Sequence, residues 1–539
     1  MSAGYLCTRQ APLETCDHGR VIEAPTPSAA ELAESLERFL AEHPFAAVIE
    51  DGRVLFDMRT SHYALSAEYG RCVLHMWSEE RNLVRTITAV DARKSTLRLH
   101  AKRFGQAKPQ LLQLVPDRDQ RTPATRTAAR SRYLHVLERA LVRGFPDLTV
   151  EGMGNAMDLE HSFGPAYARA TLVRGTKAWA LIGVAEGESQ PTIDGVLTLG
   201  ILWLSHCREH GSVRRHYEGL RVVVPAGMGE VTRSRMAWMN PAMARWELWE
   251  MDERSEDLTA LDLQDHGNLH VHLVHAFDPK STLERSRASV ERVLSLLSEP
   301  DRERVEVRPR SGTETGFLLH GLEFARVVSV VGKGSFTRTD EITFGAGANE
   351  TPLTEENEAL FKALAGRLFE GRKAGGSRSN PLYRLQPERW LESVLRAELL
   401  EIEPGIRMDW VYQQVPAFAA GDRGMLDLLT VDRSGRLVVL ELKADEDLHL
   451  PLQGLDYWLR VRQLQREGAG AFARHGYFGG VALRDTPPVL HFVAPSLRIH
   501  PSNQEVLRYF SPEVEWTLIA LDEHWRERRR VVFRKRSSD

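Results

Sequence analysis

Cysteine and lysine are both scarce in this chain of 539 residues. The four cysteines, Cys7, Cys16, Cys72 and Cys207, are too scattered for a CxxC metal knuckle and too few to staple a protein of this length. A reducing, cytoplasmic compartment is therefore expected. Long hydrophobic runs are missing as well: the longest, 195–204, is far below the roughly 20 residues that cross a bilayer. The first residues carry no basic flank followed by an apolar run, so neither a secretory signal nor a membrane partner is expected. The patterns GxxxxGK(S/T), GxSxG and GxGxxG do not occur, which argues against an NTPase engine, an α/β-hydrolase and a Rossmann cofactor site.

What is present is the composition of a folded globular protein, 42% hydrophobic and 27% charged, long enough for roughly three or four domains. A formal charge of −4 excludes a uniformly basic coat for nucleic acid, but the balance is uneven. Residues 91–132 hold Arg93, Lys94, Arg98, Lys102, Arg103, Lys108, Arg118, Arg121, Arg126, Arg130 and Arg132 against three acids, a balance of +8. The tail 523–539 carries +4. Such local basic ground suits phosphate-backbone contact, and equally a solvated linker and a frayed tail.

Two stretches read as linkers, 115–132 without apolar periodicity and 371–380 (GRKAGGSRSN) rich in Gly, Ser and Arg. Residues 1–114, with one helical pattern over 29–40 and β-rich runs at 46–58, 71–77 and 96–104, read as a small α+β or β-barrel-like domain. Region 256–370 is expected to hold a strand at 269–277, an amphipathic helix at 283–297 and a helix near 355–369, with no readable role. The segments following the two linkers look like two copies of one unit, 133–255 and 381–525, with 526–539 left as a basic tail. LVVLELKAD (437–445) falls on AWALIGVAE (178–186) at an offset of 259, which also puts Gly454 on Gly195; Val493 and Pro495 follow Val223 and Pro225 at 270.

The second copy holds the chemistry. GMLDLLTVDRSGRLVVLELKAD (424–445) reads as a β-hairpin turning at 432–435. Its first strand carries Asp427 among apolar residues, and its second ends with Glu441 and Lys443, two apart and so on one face. A carboxylate and an ammonium at the end of an apolar strand cost several kcal/mol unless paired or bound to a cation. The chain has ten lysines against sixty arginines, and only Lys280 and Lys443 follow an acid by two positions. Lys280 stands behind the strand-breaking Pro279, which leaves Lys443 singled out. A compact ammonium, unlike a guanidinium fork, can orient a water and stabilise charge growing on a phosphoryl group.

Asp427, thirteen intervening residues, then Glu441-Leu442-Lys443 resembles the core of the PD-(D/E)XK nuclease superfamily, although the proline of its name is replaced by Leu426. Gln453 and Tyr457, one helical turn apart in LPLQGLDYWLRV, make the region 387–484 similar to the nuclease domain of NucS/EndoMS-type endonucleases. The resemblance implies a restriction-endonuclease-like αβ sandwich at 381–525; with the degenerate copy and the small N-terminal β-rich domain read above, the expected fold class is α/β (α+β multidomain). It also implies a metal-dependent nuclease, with DNA as the expected nucleic-acid partner. Mg²⁺ or Mn²⁺ is the expected cofactor, held by Asp427, Glu441 and the Leu442 carbonyl, hard oxygen ligands suited to either ion. Glu392, on the helical stripe of PERWLESVLRAELL, is assigned as a water-mediated ligand, with Glu388 and Glu398 as competitors. Gln453 and Tyr457 share one helix face, where they can contact phosphate or position Lys443, or else simply pack.

At the 259 offset the first copy has Ala168 for Asp427, Ile182 for Glu441 and Val184 for Lys443, so no metal ligand remains and 133–255 is expected to be inactive. One active site per chain implies nicking, or double-strand cleavage by a homodimer. The histidines of DHGNLHVHLVH, His266, His270, His272 and His275, form a competing zinc candidate; solvated strand histidines are commoner. Two other functions stay open: a nucleic-acid-binding scaffold with an inactive nuclease-like fold, and an effector gated by a small ligand in 257–370.

Overall fold

Ser28 opens the first helix, Ala29–Glu42, with a capping box: its hydroxyl accepts the Glu31 N–H while the Glu31 carboxylate accepts the Ser28 N–H. Leu32, Leu36 and Leu40 recur every four residues and are buried on one face. They pack against a sheet whose strands alternate, as in Cys72–Trp77, where Cys72, Leu74 and Met76 point inward. The sheet runs Arg53–Asp57, Ala47–Glu50, Gln110–Val115, Thr96–Lys102, Asn82–Arg93, Cys72–Trp77, His62–Ser66, with every neighbour antiparallel. Among the described residues its two outer strands do not pair with each other, so it is an open α+β sheet and not a barrel.

This computed structural model describes residues 27–539 except 45, 51–52, 59–60, 68–69, 78–81, 94–95, 103–109, 116–122, 159–160, 266–270, 332–337, 346–349, 420–421 and 469. The chain divides into two compact units, Met1–Asp117 and Arg118–Asp539. No described helix is long and apolar enough to cross a membrane.

The second unit is mixed α/β and is organised by three sheets. One orders its strands as Asp257–Leu261, Arg245–Asp252, His216–Pro225, Lys177–Val184, Tyr167–Arg174, Thr149–Gly154. Another runs Val531–Arg536, Trp516–Leu521, Val489–Pro495, Leu437–Leu442, Asp422–Val431, Tyr412–Ala419, with Val271–Leu273 added at the far edge. In both, an antiparallel hairpin is followed by two parallel steps and a final antiparallel strand. Parallel steps need crossover helices, supplied by Val196–His210 and Glu230–Met236 in one sheet and by Leu450–Arg466 and Pro501–Arg508 in the other. The crossover helices also join the two sheets reciprocally: Val196–His210 packs on Pro501–Arg508, and Glu230–Met236 on Leu450–Arg466. One apolar core runs through both, with Trp238 and Trp458 edge to face at 4.8 Å. Burying a residue as large as Trp458 contributes at least ~2 kcal/mol.

The third sheet, antiparallel from Glu306–Ser311 through Glu314–Leu319, Leu322–Val331 and Arg338–Phe344 to Thr351–Pro352, occupies the region the sequence leaves unreadable. The expected helix at 283–297 is two, Pro279–Arg285 and Arg287–Ser295, and among the described residues of the strand expected at 269–277 only Val271–Leu273 is strand. Both expected linkers are structured where they are described. Residues 123–132 belong to the helix Pro123–Gly144, whose later turns bury Tyr133, Leu137, Ala140 and Leu141. In 371–380, Arg372 is fully buried and donates to the carbonyls of Leu319, His320, Leu382 and Leu385, a clasp between sheet and helix. The basic tail is likewise ordered: Val531–Arg536 is an edge strand, and Arg526 lies over Trp525 at 4.1 Å.

Candidate active site

The hairpin Asp422–Val431 and Leu437–Leu442 turns at Asp432, whose Oδ1 accepts the N–H groups of Ser434 and Arg436, with Gly435 at φ +87°. Its ladder extends to the pair Leu428 and Leu440. There the strands part, and the Leu442 N–H is taken by the Asp427 side chain, Oδ2 accepting at 2.9 Å. Glu441 pairs in parallel with Phe492 on the other side and is only 3% exposed. Its Oε2 is buried with no hydrogen-bond partner, a state a carboxylate tolerates poorly unless a cation stands there. The Lys443 ammonium sits among three acids, 3.4 Å from Asp447, 3.6 Å from Glu388 and 4.0 Å from Glu441.

Electrostatics tie these groups together. Burial pushes the Asp427 carboxyl up to about 6; the Leu442 N–H opposes this, while the charges of Glu392 and Glu388 add to it. Glu441 is raised well above the usual carboxylate range, by burial first and then by the charge of Asp427, with Lys443 in opposition. Burial lowers the Lys443 ammonium, but Glu388, Glu441, Asp447 and Asp427 outweigh it, so the net shift is upward and the amine stays charged. Four carboxylates, Glu441 buried and Glu388 at the surface, surround one ammonium, and hard oxygens in this number suit a divalent cation such as Mg²⁺ or Mn²⁺.

The flanking residues divide into two groups. Tyr457 joins the cluster: burial, then the charges of Glu441 and Asp427, push its hydroxyl pKa upward. Gln453, one turn earlier on Leu450–Arg466, has a buried side-chain oxygen with no partner and its backbone N–H on His449. Glu392, by contrast, is engaged one step back. It is 2% exposed on Pro387–Ala397, accepts from Gln414 at 2.9 Å and from Arg389 at 3.1 Å, and has Arg308 of the third sheet at 3.5 Å. Of its two competitors, Glu388 reaches Lys443, whereas Glu398 pairs with Arg529 away from the cluster.

Four further residues shape the site. Gln414 donates to Glu392 and also, at 3.2 Å, to Asp427, from a left-handed backbone at φ +49°. Asp447 caps the turn before the helix through the His449 N–H at 2.8 Å while facing Lys443. Arg308 neutralises Glu392 from another sheet, and Arg460 lies against Gly424, where a Cβ would meet its Nη1 at 1.4 Å. Of these only Asp447, an acid four positions from Lys443, carries a local sequence signal.

The first sheet answers differently at the same places. Gly183 pairs with Val223 as Leu442 pairs with Val493, so Ile182 and Val184 occupy the positions of Glu441 and Lys443. The counterpart of Asp427 is not Ala168, however. Continuing the register of Leu428 and Leu440 sets Asp427 opposite Glu441, and the residue opposite Ile182 is Arg169. Twelve residues separate Arg169 from Ile182 where thirteen separate Asp427 from Glu441, which shifts the register by one relative to a constant offset. Of the competing histidines, His266, His270 and the side chain of His272 lie outside the described residues, and His275 is exposed.

A scan against models of known protein families finds no match, and a search of characterised proteins finds no significant relative.

Proposed function

We propose that this chain is a metal-dependent nuclease that hydrolyses phosphodiester bonds of nucleic acid, with 381–525 as a restriction-endonuclease-like domain and 133–255 as its inactive copy. The observation that carries this reading is the buried Asp427–Glu441 pair, one oxygen of it unpartnered, beside the charged Lys443. Asp427, Glu441 and the Leu442 carbonyl would hold the Mg²⁺ or Mn²⁺ ion, with Glu392 reaching it through water. When bound, such an ion lowers the pKa of a water and neutralises the scissile phosphate.

The chain's own residues do the rest. Lys443, kept protonated by its acids, acts as hydrogen-bond donor and point charge and not as a base: it orients the attacking water and offsets charge on the phosphoryl oxygens. Gln414 holds Asp427 and Glu392 at a fixed separation, and Arg308 and Arg389 pair with Glu392. Tyr457 and Gln453 line the approach from the helix, where phosphate can be met. DNA as substrate rests on the resemblance to the nuclease superfamily.

The reciprocal packing of the two sheets is the pattern of a twofold dimer built within one chain. The inactive copy fills the face on which a second nuclease domain would sit, which supports nicking by a single site.

Purified protein incubated with supercoiled plasmid or single-stranded DNA and Mg²⁺ or Mn²⁺ tests the reading, beside Asp427→Ala and Lys443→Ala. Cleavage lost by at least 100-fold in both variants supports it. Binding without cleavage in every metal rejects it in favour of a nucleic-acid-binding scaffold.

A further inference from the structure

The first sheet lacks the acidic cluster but carries a set of histidines of its own. His206 and His210 lie one turn apart on Val196–His210, so their rings share a face, stacked at 4.6 Å. The connection between Thr149–Gly154 and Tyr167–Arg174 brings His161 against them, its ring 4.5 Å from His206 and 5.7 Å from His210. One ligand nitrogen from each of the three lies within 4.8 Å of the others.

We propose that His161, His206 and His210 form a transition-metal site of the zinc class, with three imidazole ligands and a fourth position open to solvent.

The orientation of each ring carries the argument. His161 Nδ1 sits 2.8 Å from Asp158 Oδ2, so Nδ1–H donates to the carboxylate and Nε2 is left as a lone pair for a metal. A carboxylate behind a ligating histidine is the arrangement that fixes its tautomer and raises its basicity. His210 does the same with the backbone, its Nδ1 3.3 Å from the His206 carbonyl. His206 supplies a separate observation: its Nδ1 is buried and has no hydrogen-bond partner. Two histidines at i and i+4 plus a third from a loop is a spacing that zinc accepts, with Zn–N bonds of about 2.1 Å. Softer nitrogen donors select zinc-like ions, whereas the carboxylate cluster around Asp427 suits Mg²⁺ or Mn²⁺, so the two sites draw on different metals. A bound ion would pin the 155–166 connection to the helix that packs on Pro501–Arg508.

The site does not depend on the nuclease reading and is tested apart from it. The full chain carrying Asp427→Asn and Glu441→Gln, stripped with chelator, is titrated with CoCl₂ and ZnCl₂. One Co²⁺ per chain is expected, with the intense visible bands of a four-coordinate ion, displaced by one equivalent of Zn²⁺. His206→Gln and the exposed His210→Gln weaken Co²⁺ binding at least tenfold, and Asp158→Asn weakens it about 10-fold or more while one ion per chain still binds. Circular dichroism confirms that each variant is folded, and His210→Gln, at the surface, keeps the test valid if His206→Gln misfolds. Affinity unchanged in His210→Gln and His161→Gln, or no visible band on adding Co²⁺, overturns the proposal and leaves the three rings as an aromatic stack beside Trp203.

Discussion

The Arg235 guanidinium grips both oxygens of Asp456, Nε donating at 2.9 Å and Nη2 at 2.7 Å. The pair ties Glu230–Met236 of the first sheet to Leu450–Arg466 of the second, the helix that carries Gln453 and Tyr457. Arg235 is 8% exposed and also donates to the Asp194 carbonyl, so removing Asp456 takes away the carboxylate that its fork pairs with. Asp456→Ala should destabilise the protein by about 2–3 kcal/mol in urea unfolding, with Asp456→Asn costing less. A cost under about 0.5 kcal/mol in both would mean that the shared apolar core alone holds the sheets together.

Asp427 makes metal-free stability depend on pH with a definite sign. Its folded carboxyl is raised from 3.8 to about 6, so between those values the folded state holds more protons than the unfolded chain. Stability must therefore fall as pH rises through that window, by up to ~3 kcal/mol, and stay low above it. In chelator, Asp427→Asn should flatten this fall and be the more stable protein at pH 7.5. Adding Mg²⁺ or Mn²⁺ at a hundred times its dissociation constant should restore about 2.7 kcal/mol to the parent and little to the variant. Parallel melting curves at pH 5 and 7.5 with no difference between the two proteins would remove the basis for a repulsive, cation-seeking site.

Gln414 separates a chemical role from a backbone one. Its amide serves Glu392 and Asp427, while its left-handed φ of +49° strains any side chain, at a cost of about 1–3 kcal/mol. Gln414→Gly and Gln414→Ala both lose the amide, so both should cut cleavage about tenfold or more. Only the glycine relieves the strain, and it should unfold about 1 kcal/mol later than the alanine variant. Equal stability for the pair would show that the strain is compensated by something other than the amide.

Asp427, Glu441 and Lys443 are readable in sequence because ionisable groups inside an apolar strand are expensive, and the expense itself is the signal. Gln414 is not, since YQQVPAFA reads as an ordinary alternating strand and nothing in it announces a left-handed residue. Arg308 stands 84 residues before Glu392 and meets it only through folding. The same non-locality hides Arg372: in GRKAGGSRSN a buried guanidinium donating to five carbonyls looks like one more linker charge. VVFRKR reads as a tail because charges on a sheet edge, which discourage edge-to-edge pairing, look the same in sequence as a solvated terminus. Weak repeat matches in the right order located equivalent strands, but a constant offset could not follow a hairpin turn of different length, and Ala168 stood in for Arg169.

Asp447 gives the sharpest separation of Lys443 as a charge from Lys443 as a structural partner. The ammonium is 3.4 Å from Asp447, and the surrounding acids hold its pKa above the ordinary lysine value against the effect of burial. Asp447→Asn keeps the side-chain oxygen that accepts the His449 N–H but removes one negative charge, so the ammonium should lose its proton at lower pH. In the nuclease reading, the alkaline limb of the kcat/KM profile then moves down in pH while the acid limb, set by the carboxylates, stays near its place. Lys443→Arg keeps a positive charge that no longer titrates, yet its broad fork cannot occupy the position of a compact ammonium, so cleavage should stay at least 100-fold below the parent across the whole range. An alkaline limb unmoved by Asp447→Asn, together with an active Lys443→Arg, would assign that limb to another group and reduce Lys443 to a counterion for the buried acids.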